Sequence, residues 1–141
     1  MKILTRLAAV AALVGTTAVA QAATLSSPML PTFHATDFVG GSMLGNAAAC
    51  YVRNVGKKPV KLEVKFQQNF GSDLPSSFQN CNAVPLAPGR TCVALINDLP
   101  DDVAFGCTAV VSGSAKNVRA SVEFRALTVF GQKVLVAEDL R

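Results

Sequence analysis

The sequence predicts an all-β protein, an antiparallel two-sheet sandwich of about seven or eight strands. Two segments, 60–66 and 118–125, alternate strictly between apolar and polar side chains, which is typical of strands with one buried and one solvated face. Similar short segments recur between Gly, Pro, Asn and Asp turn signals. No segment after residue 22 shows sustained helical periodicity, so we expect strands throughout.

The first 22 residues have the pattern of a secretory signal peptide. Lys2 and Arg6 precede an apolar run, which ends in small residues that offer cleavage after Ala20 or Ala22. A spanning helix needs about 20 apolar residues, and no segment reaches that length, so no transmembrane span is expected. The chain is expected to be exported, periplasmic or secreted, with three parts: a signal peptide at 1–22, an irregular segment at 23–45 and the sandwich domain at 46–141.

The basic charge of the chain belongs partly to this leader. Two of the 13 Lys and Arg residues lie in it and none of the 9 Asp and Glu residues, so the mature net charge is +2 (11 minus 9). A nucleic-acid-binding domain is expected to carry a clustered basic face. We therefore expect no nucleic-acid partner.

The segment 23–45 is expected to be irregular because Pro28, Pro31 and several glycines interrupt it. The single histidine, His34, lies here with Asp37 three residues later. A hydrolytic pair would need a nucleophile, and no nucleophile motif accompanies these two residues. The pattern favours an exposed edge-strand side chain for His34.

The first firm strand covers 48–54 and is followed by a turn at 54–59. Alternation puts Cys50 on one face of this strand, and Tyr51 and Arg53 on the other. The next strand, 60–66, has four apolar residues pointing inward, with Lys and Glu side chains pointing outward.

Short strands are expected near 78–81 and 91–96. Cys81 and Cys92 flank the connection between them, which two prolines stiffen. Bridging these two cysteines is geometrically easy, and we predict that they form a disulfide.

The corner at 97–102 carries three carboxylates, Asp98, Asp101 and Asp102. They invite a calcium hypothesis, but the ligand spacing and central Gly of a calcium loop are absent. Asp and Asn are ordinary turn residues that bond their own backbone.

Three strand segments follow this corner. The strand that ends near Ser112 is predicted to form a hairpin with 118–125, because a Gly-containing turn joins them. A last pair is predicted at 127–130 and 134–137.

Four cysteines in a small exported chain predict two disulfides. Three pairings are formally possible. Zinc is the competing interpretation, but no two of the cysteines have the separation of two to four residues that zinc sites use. We expect no metal and no other cofactor.

The corner and the strand after it resemble a known family. Asp101-x-Val-x-Phe-x-Cys107 resembles the entry into strand F of immunoglobulin domains, and 99–109 is similar to the matching corner of fibronectin type III domains. The resemblance implies an immunoglobulin-like sandwich in which Cys107 bonds Cys50 across the two sheets. Phe105 stands where the family has Tyr, and the chain has no Trp to pack on the bridge. The resemblance also implies a fold that is used mostly for binding, although a fold does not by itself select a function.

The function expected from these features is a non-catalytic binding or assembly module of the cell envelope or extracellular space. Its partner would be an envelope protein or an anionic envelope surface, because one strand region carries a cluster of cations. This basic surface consists of Arg53, Lys57, Lys58, Lys61 and Lys65.

Two other classes of function stay open. An inhibitory or structural role would use the loop at 83–90, which the predicted short disulfide holds at its base. A hydrolase is less favoured, because general acid–base chemistry needs converging carboxylates or His, and the acidic residues fall mainly in turns or on outward strand faces. The sequence shows no catalytic constellation.

Overall fold

A computed structural model of the chain describes residues 22–32, 43–68, 71–101, 103–128 and 131–141. Within these ranges the chain forms strands joined by turns, with a short 3-10 helix at Ala115–Asn117. The strands are β1 (Ala22–Ser26), β2 (Leu30–Pro31), β3 (Met43–Asn54), β4 (Leu62–Gln68), β5 (Ser72–Leu74), β6 (Phe78–Gln79), β7 (Thr91–Leu99), β8 (Ala104–Ser112), β9 (Val118–Thr128) and β10 (Gly131–Asp139).

These strands form two antiparallel sheets, as the alternating pattern predicts. The first sheet has the order β1-β8-β4-β5, with β2 also paired to β8 beyond the end of β1. The second sheet has the order β10-β9-β3-β7-β6. Their inner faces pack on each other, so β4 buries every second side chain, whereas β3 buries residues 46–50 without interruption.

The core lies between the two sheets and contains the residues that alternation assigns to it. On β4, Leu62, Val64 and Phe66 are buried, while Glu63 and Lys65 are exposed. Most of the driving force for folding comes from removing such apolar side chains from water, at about 25 cal/mol per Å².

Both expected disulfides are present. Cys50 of β3 bonds Cys107 of β8, with their Cα atoms 6.2 Å apart, so this bridge joins the central strands of opposite sheets. Cys81 bonds Cys92 at a Cα separation of 5.1 Å, closing the connection between β6 and β7. The described part of the chain has no free cysteine.

The N-terminal segment is more regular than predicted. Instead of an irregular stretch over 23–45, β1 pairs with 108–112 of β8, β2 pairs with 104–105, and β3 already begins at Met43. The physical reason is that an unpaired edge of β8 would expose its backbone donors and acceptors, which this segment satisfies. His34 and Asp37 lie outside the described residues.

The predicted hairpin between β8 and β9 is wrong. These consecutive strands lie in different sheets, and β9 pairs instead with β3 and β10. Gly113, at φ 106°, and the 3-10 helix carry the chain over the end of the sandwich. Alternation identifies the inward faces of β4, β8 and β9 correctly but says nothing about which sheet contains each strand.

The last predicted pair is only partly correct. A strand does cover 134–137, but Leu127 and Thr128 are the end of β9 rather than a separate strand, and β10 already begins at Gly131 and pairs with β9 over residues 121–128. After β10 the chain reaches back across the sandwich. Ser26 of β1 donates its backbone N–H to the Arg141 carbonyl at 2.9 Å, and Arg141 returns a bond to Ser26 at 3.1 Å. This exchange ties the start of the described chain to its end.

Candidate functional site

The basic surface predicted from the sequence is divided between the two sheets. Arg53 lies on the outer face of the second sheet, whereas Lys65 lies on the outer face of the first. Lys57 and Lys58 lie in the connection between β3 and β4, and Lys61 immediately precedes β4. The five cations therefore do not share one face, because the strands that carry Arg53 and Lys65 belong to opposite layers.

Lys65 is also neutralised locally. Its ammonium lies 2.9 Å from a Glu63 carboxylate oxygen and 3.8 Å from one of Asp73. The hydrogen bond to Glu63, with the charges of both carboxylates, raises the pKa of Lys65. This exposed group is a solvated ion pair of the kind that contributes little to stability or to attracting a partner.

A different group of side chains converges on the outer face of the second sheet. Arg53 of β3 is the register partner of Arg119 of β9. Two residues away on the same face, Tyr51 of β3 is the register partner of Ser121 of β9. Ser121 in turn pairs with Asp139 of β10. We call the resulting hollow of about 340 Å³ the β3–β9 depression; it is lined by Tyr51, Arg53, Thr91, Arg119, Ala120, Ser121, Glu123 and Asp139.

The depression exists because a small residue is surrounded by larger ones. Ser121 sits between Tyr51 on β3 and Asp139 on β10, and it is flanked along its own strand by Arg119 and Glu123, two residues away in each direction. Residues at i and i+2 of a strand lie on the same face. The long side chains therefore form a rim around the serine.

One wall of the depression is a connected polar network. Arg125 donates to the Tyr51 hydroxyl and, at 2.6 and 3.1 Å, to a Glu123 carboxylate oxygen. The Arg125 guanidinium also lies 5.7 Å from the centre of the Tyr51 ring, a cation–π contact. The network fixes the positions of Tyr51 and Glu123 on the rim.

Arg125 remains charged in this network. Partial burial lowers the pKa of its guanidinium, but the hydrogen bond to Glu123 and the interactions with Tyr51 outweigh burial, so the pKa lies above its ordinary value. Glu123 has its counter-ion in the same half-buried cluster.

The two arginines at the other end of the depression have different environments. Nη1 of Arg119 donates to the Val118 carbonyl at 2.9 Å and to the Lys116 carbonyl at 3.4 Å, so its guanidinium is held in place. Within the described ranges, Arg53 has no ion-pair or side-chain hydrogen-bond partner. The depression is thus positive at the Arg53–Arg119 end, while Glu123 and Asp139 place carboxylates further along.

Sequence patterns alone identify the outward residues of this site but not that they lie together. Alternation assigns Tyr51 and Arg53 to one outward face, and Arg119 and Glu123 to another. What it lacked was the pairing of β3 with β9, because strands more than 60 residues apart carry no local signal for each other. The only available hint was that both segments alternate with large polar residues outward.

Other predicted features have structural roles or lie outside the described ranges. Asp101 accepts a hydrogen bond of 2.7 Å from buried Asn46, so it anchors the start of β3 to the corner. Asp102 is not among the described residues. No group of three or more His, Cys, Asp and Glu side chains that could hold a metal ion occurs in the part of the chain that the structure describes.

The loop at 83–90 is tied to the sandwich. Leu86 and Val60 exchange backbone hydrogen bonds at 2.8 and 3.1 Å, and the Leu86 carbonyl also accepts from Asn54 at 2.8 Å. Between Cys81 and this anchor, the Val84 side chain is 69% exposed. The described residues contain no helix of the length and apolarity needed to cross a bilayer.

Comparisons with known proteins add little to this description. No family model matches the chain, and no curated protein matches it. Among solved structures, it is similar to a protein of Thermotoga maritima, described as Thermotoga maritima 1070, with a TM-score of 0.48 and 10% identity over 84% of this chain and 91% of that chain. A likeness at this level carries no argument about function.

Proposed function

We propose that the chain is an exported, non-catalytic binding module of the cell envelope or extracellular space, and that it binds through the outer face of its second sheet. Two disulfides in a domain of this size are typical of an oxidising compartment. The leader pattern at 1–22 points to the same compartment.

The strand arrangement supports an immunoglobulin-like core. In that fold, strands B, E and D share one sheet, C and F lie in the other, and a B–F disulfide joins them. Here β3, β7 and β6 are neighbours in one sheet, β4 and β8 are neighbours in the other, and Cys50 bonds Cys107. The strands that flank this core differ from those of the immunoglobulin fold, because here β9 pairs with β3 and β1 pairs with β8.

The observation that carries the proposal is the direct opposition of Arg53 and Arg119 on the rim of the β3–β9 depression. Like charges directly opposite each other destabilise a sheet. Such a pair adds nothing to folding, which favours a role in recognising a negatively charged partner.

The test is adsorption of the mature protein to envelope fractions as salt is raised. The double variant Arg53→Gln/Arg119→Gln should lose most of the salt-sensitive binding. Its matched control is Lys57→Gln/Lys58→Gln, which removes the same charge from the neighbouring connection and should retain it. Absence of adsorption by the unaltered protein, or equal losses in the two variants, would refute binding through the second sheet.

A second candidate is an inhibitory role for the loop at 83–90. The exposure of Val84 above a disulfide and a bonded anchor at Leu86 supports it, since a preorganised loop loses little entropy on binding. Inhibition of an extracellular protease that disappears in Val84→Asp would support this role. Cleavage of the loop without inhibition would leave it as a connector.

A further inference from the structure

The β3–β9 depression combines features that together select a class of ligand. The first is the pair of arginines at one end. Register partners on one face of an antiparallel ladder have Cβ atoms about 4.5–5.5 Å apart, so Arg53 and Arg119 can direct their guanidinium groups at one bound group. An oxyanion placed there would relieve the repulsion between them.

The second feature is the way Arg119 is held. Its two hydrogen bonds to the Val118 and Lys116 carbonyls both use Nη1. Nη2 and Nε therefore stay available for a ligand, and the guanidinium is already positioned. Arginine binds carboxylate and phosphate oxygens through paired N–H donors, which gives both strength and orientation.

The third feature is an acceptor group close to the cationic end. Asp139 is the register partner of Ser121, which lies two residues after Arg119 on the same face of β9. Two residues of antiparallel strand span about 7 Å. Within the described part of the chain, the Asp139 carboxylate has no ion-pair or hydrogen-bond partner, so it is available to accept from hydroxyl donors of a ligand.

We infer that the β3–β9 depression binds a small hydroxyl-rich ligand that carries one oxyanion, of the class of sugar acids and sugar phosphates. The oxyanion lies between Arg53 and Arg119, and the sugar hydroxyls reach Asp139 and the Ser121 floor. A volume of about 340 Å³ is at the lower end for ligand sites, which fits one such unit. This inference rests on the proposed binding function and gives its ligand a chemical class.

The experiment is an NMR titration of the mature protein with defined probes: D-glucuronate, D-glucose 6-phosphate, inorganic phosphate and neutral D-glucose. Glucuronate and glucose 6-phosphate should shift the amide signals of 51–53 and 119–121, while glucose should not. A larger response to glucuronate identifies a carboxylate ligand, and a larger response to glucose 6-phosphate identifies a phosphate ester. Equal binding of inorganic phosphate and glucose 6-phosphate would refute a role for the sugar hydroxyls.

Variants separate the two ends of the depression. Arg53→Gln and Arg119→Gln should each weaken binding of the anionic sugars about tenfold or more. Asp139→Asn should weaken sugar binding but should not weaken binding of inorganic phosphate, because it removes a negative charge near the oxyanion position. Lys57→Gln/Lys58→Gln should change neither, and Arg119→Gln without ligand should unfold at the same or a higher temperature, because it removes a like-charge pair.

The outcome also distinguishes this inference from the proposed function. If no anionic probe shifts these signals, or if the arginine variants bind the probes as well as the unaltered protein, the ligand class is wrong. Envelope adsorption that still depends on the two arginines would then keep the binding function with a different partner. If the anionic probes do not bind and envelope adsorption does not depend on the two arginines, both proposals are wrong.

Discussion

Phe105 of β8 and Phe124 of β9 meet across the core, with ring centroids 5.6 Å apart and ring planes at 49°. Both side chains are fully buried. Their strands follow each other in the chain but belong to opposite sheets. The contact therefore helps to hold the two layers together.

Replacing Phe124 should be among the costliest single changes in the core. Phe124→Ala removes a buried ring and its tilted contact with Phe105, so we expect the free energy of unfolding to fall by about 3–5 kcal/mol. Urea denaturation measures this loss. The control is Phe78→Ala, since Phe78 is 52% exposed and should change stability little; similar losses in both variants would contradict the packing described for Phe124.

The two disulfides should differ in their contribution to stability. The Cys50–Cys107 bridge closes 57 residues of chain and the Cys81–Cys92 bridge closes 11. On the chain-entropy model these loops correspond to about 4 and 3 kcal/mol. Cys50→Ala/Cys107→Ala should therefore lower stability more than Cys81→Ala/Cys92→Ala in denaturant titrations. Peptide mapping without reductant should recover these two pairs, and any other pairing would contradict the scheme.

Asn54 should be a structural residue of unusual importance for a polar side chain. It is fully buried, donates to the Lys58 and Leu86 carbonyls at 2.8 Å each, and accepts from the Gly56 amide at 2.9 Å. Asn54→Ala would remove all three bonds and leave the Lys58 carbonyl and the Gly56 amide without the Asn54 side chain, whereas the Leu86 carbonyl keeps its bond from the Val60 amide. We expect a cost of roughly 2–3 kcal/mol. Thermal unfolding checks this.

The comparison for Asn54 is Asn80, an exposed residue whose side chain accepts one hydrogen bond, from the Val93 amide. Asn80→Ala should cost well under half as much, because water replaces the lost partner. An Asn54→Ala variant as stable as Asn80→Ala would show that the connections it joins do not depend on it.

Gly106 should control how firmly the N-terminal segment binds to β8. A Cβ atom at this position would lie 3.0 Å from the Met29 sulfur and 3.1 Å from the Ser27 hydroxyl, which itself accepts from the Cys107 amide at 2.9 Å. Gly106→Ala should cost about 1–2 kcal/mol and speed amide hydrogen exchange at Ser27 and Thr32. Adding Met29→Ala should restore part of the protection, whereas unchanged exchange in Gly106→Ala would contradict the close approach.

Several levels of this structure are predictable from the sequence. Alternation on β4 and β9 identifies their buried faces, because a strand with one wet face must place apolar residues at every second position. The pairing of Cys81 with Cys92 follows from their short separation. The turn at 54–59 is located correctly, but Asn54 and Gly56 do not adopt the positive φ that such turn residues often have; Asn54 is there for its side-chain hydrogen bonds.

The sequence by itself determined which residues of β4, β8 and β9 face inward, that Cys81 pairs with Cys92, and where the chain turns after β3, since each of these depends on residue type and near neighbours. The pairing of Cys50 with Cys107 was implied by the resemblance of the 99–109 corner to a known family. The tertiary structure decided which strands lie side by side. Only that choice placed Arg53 opposite Arg119 and put Lys65 on the other side of the molecule. The physical reason is that the backbone hydrogen bonds between any two strands are chemically alike, so they do not select a partner. Packing of the whole core, rather than any local pattern, determines which strands pair.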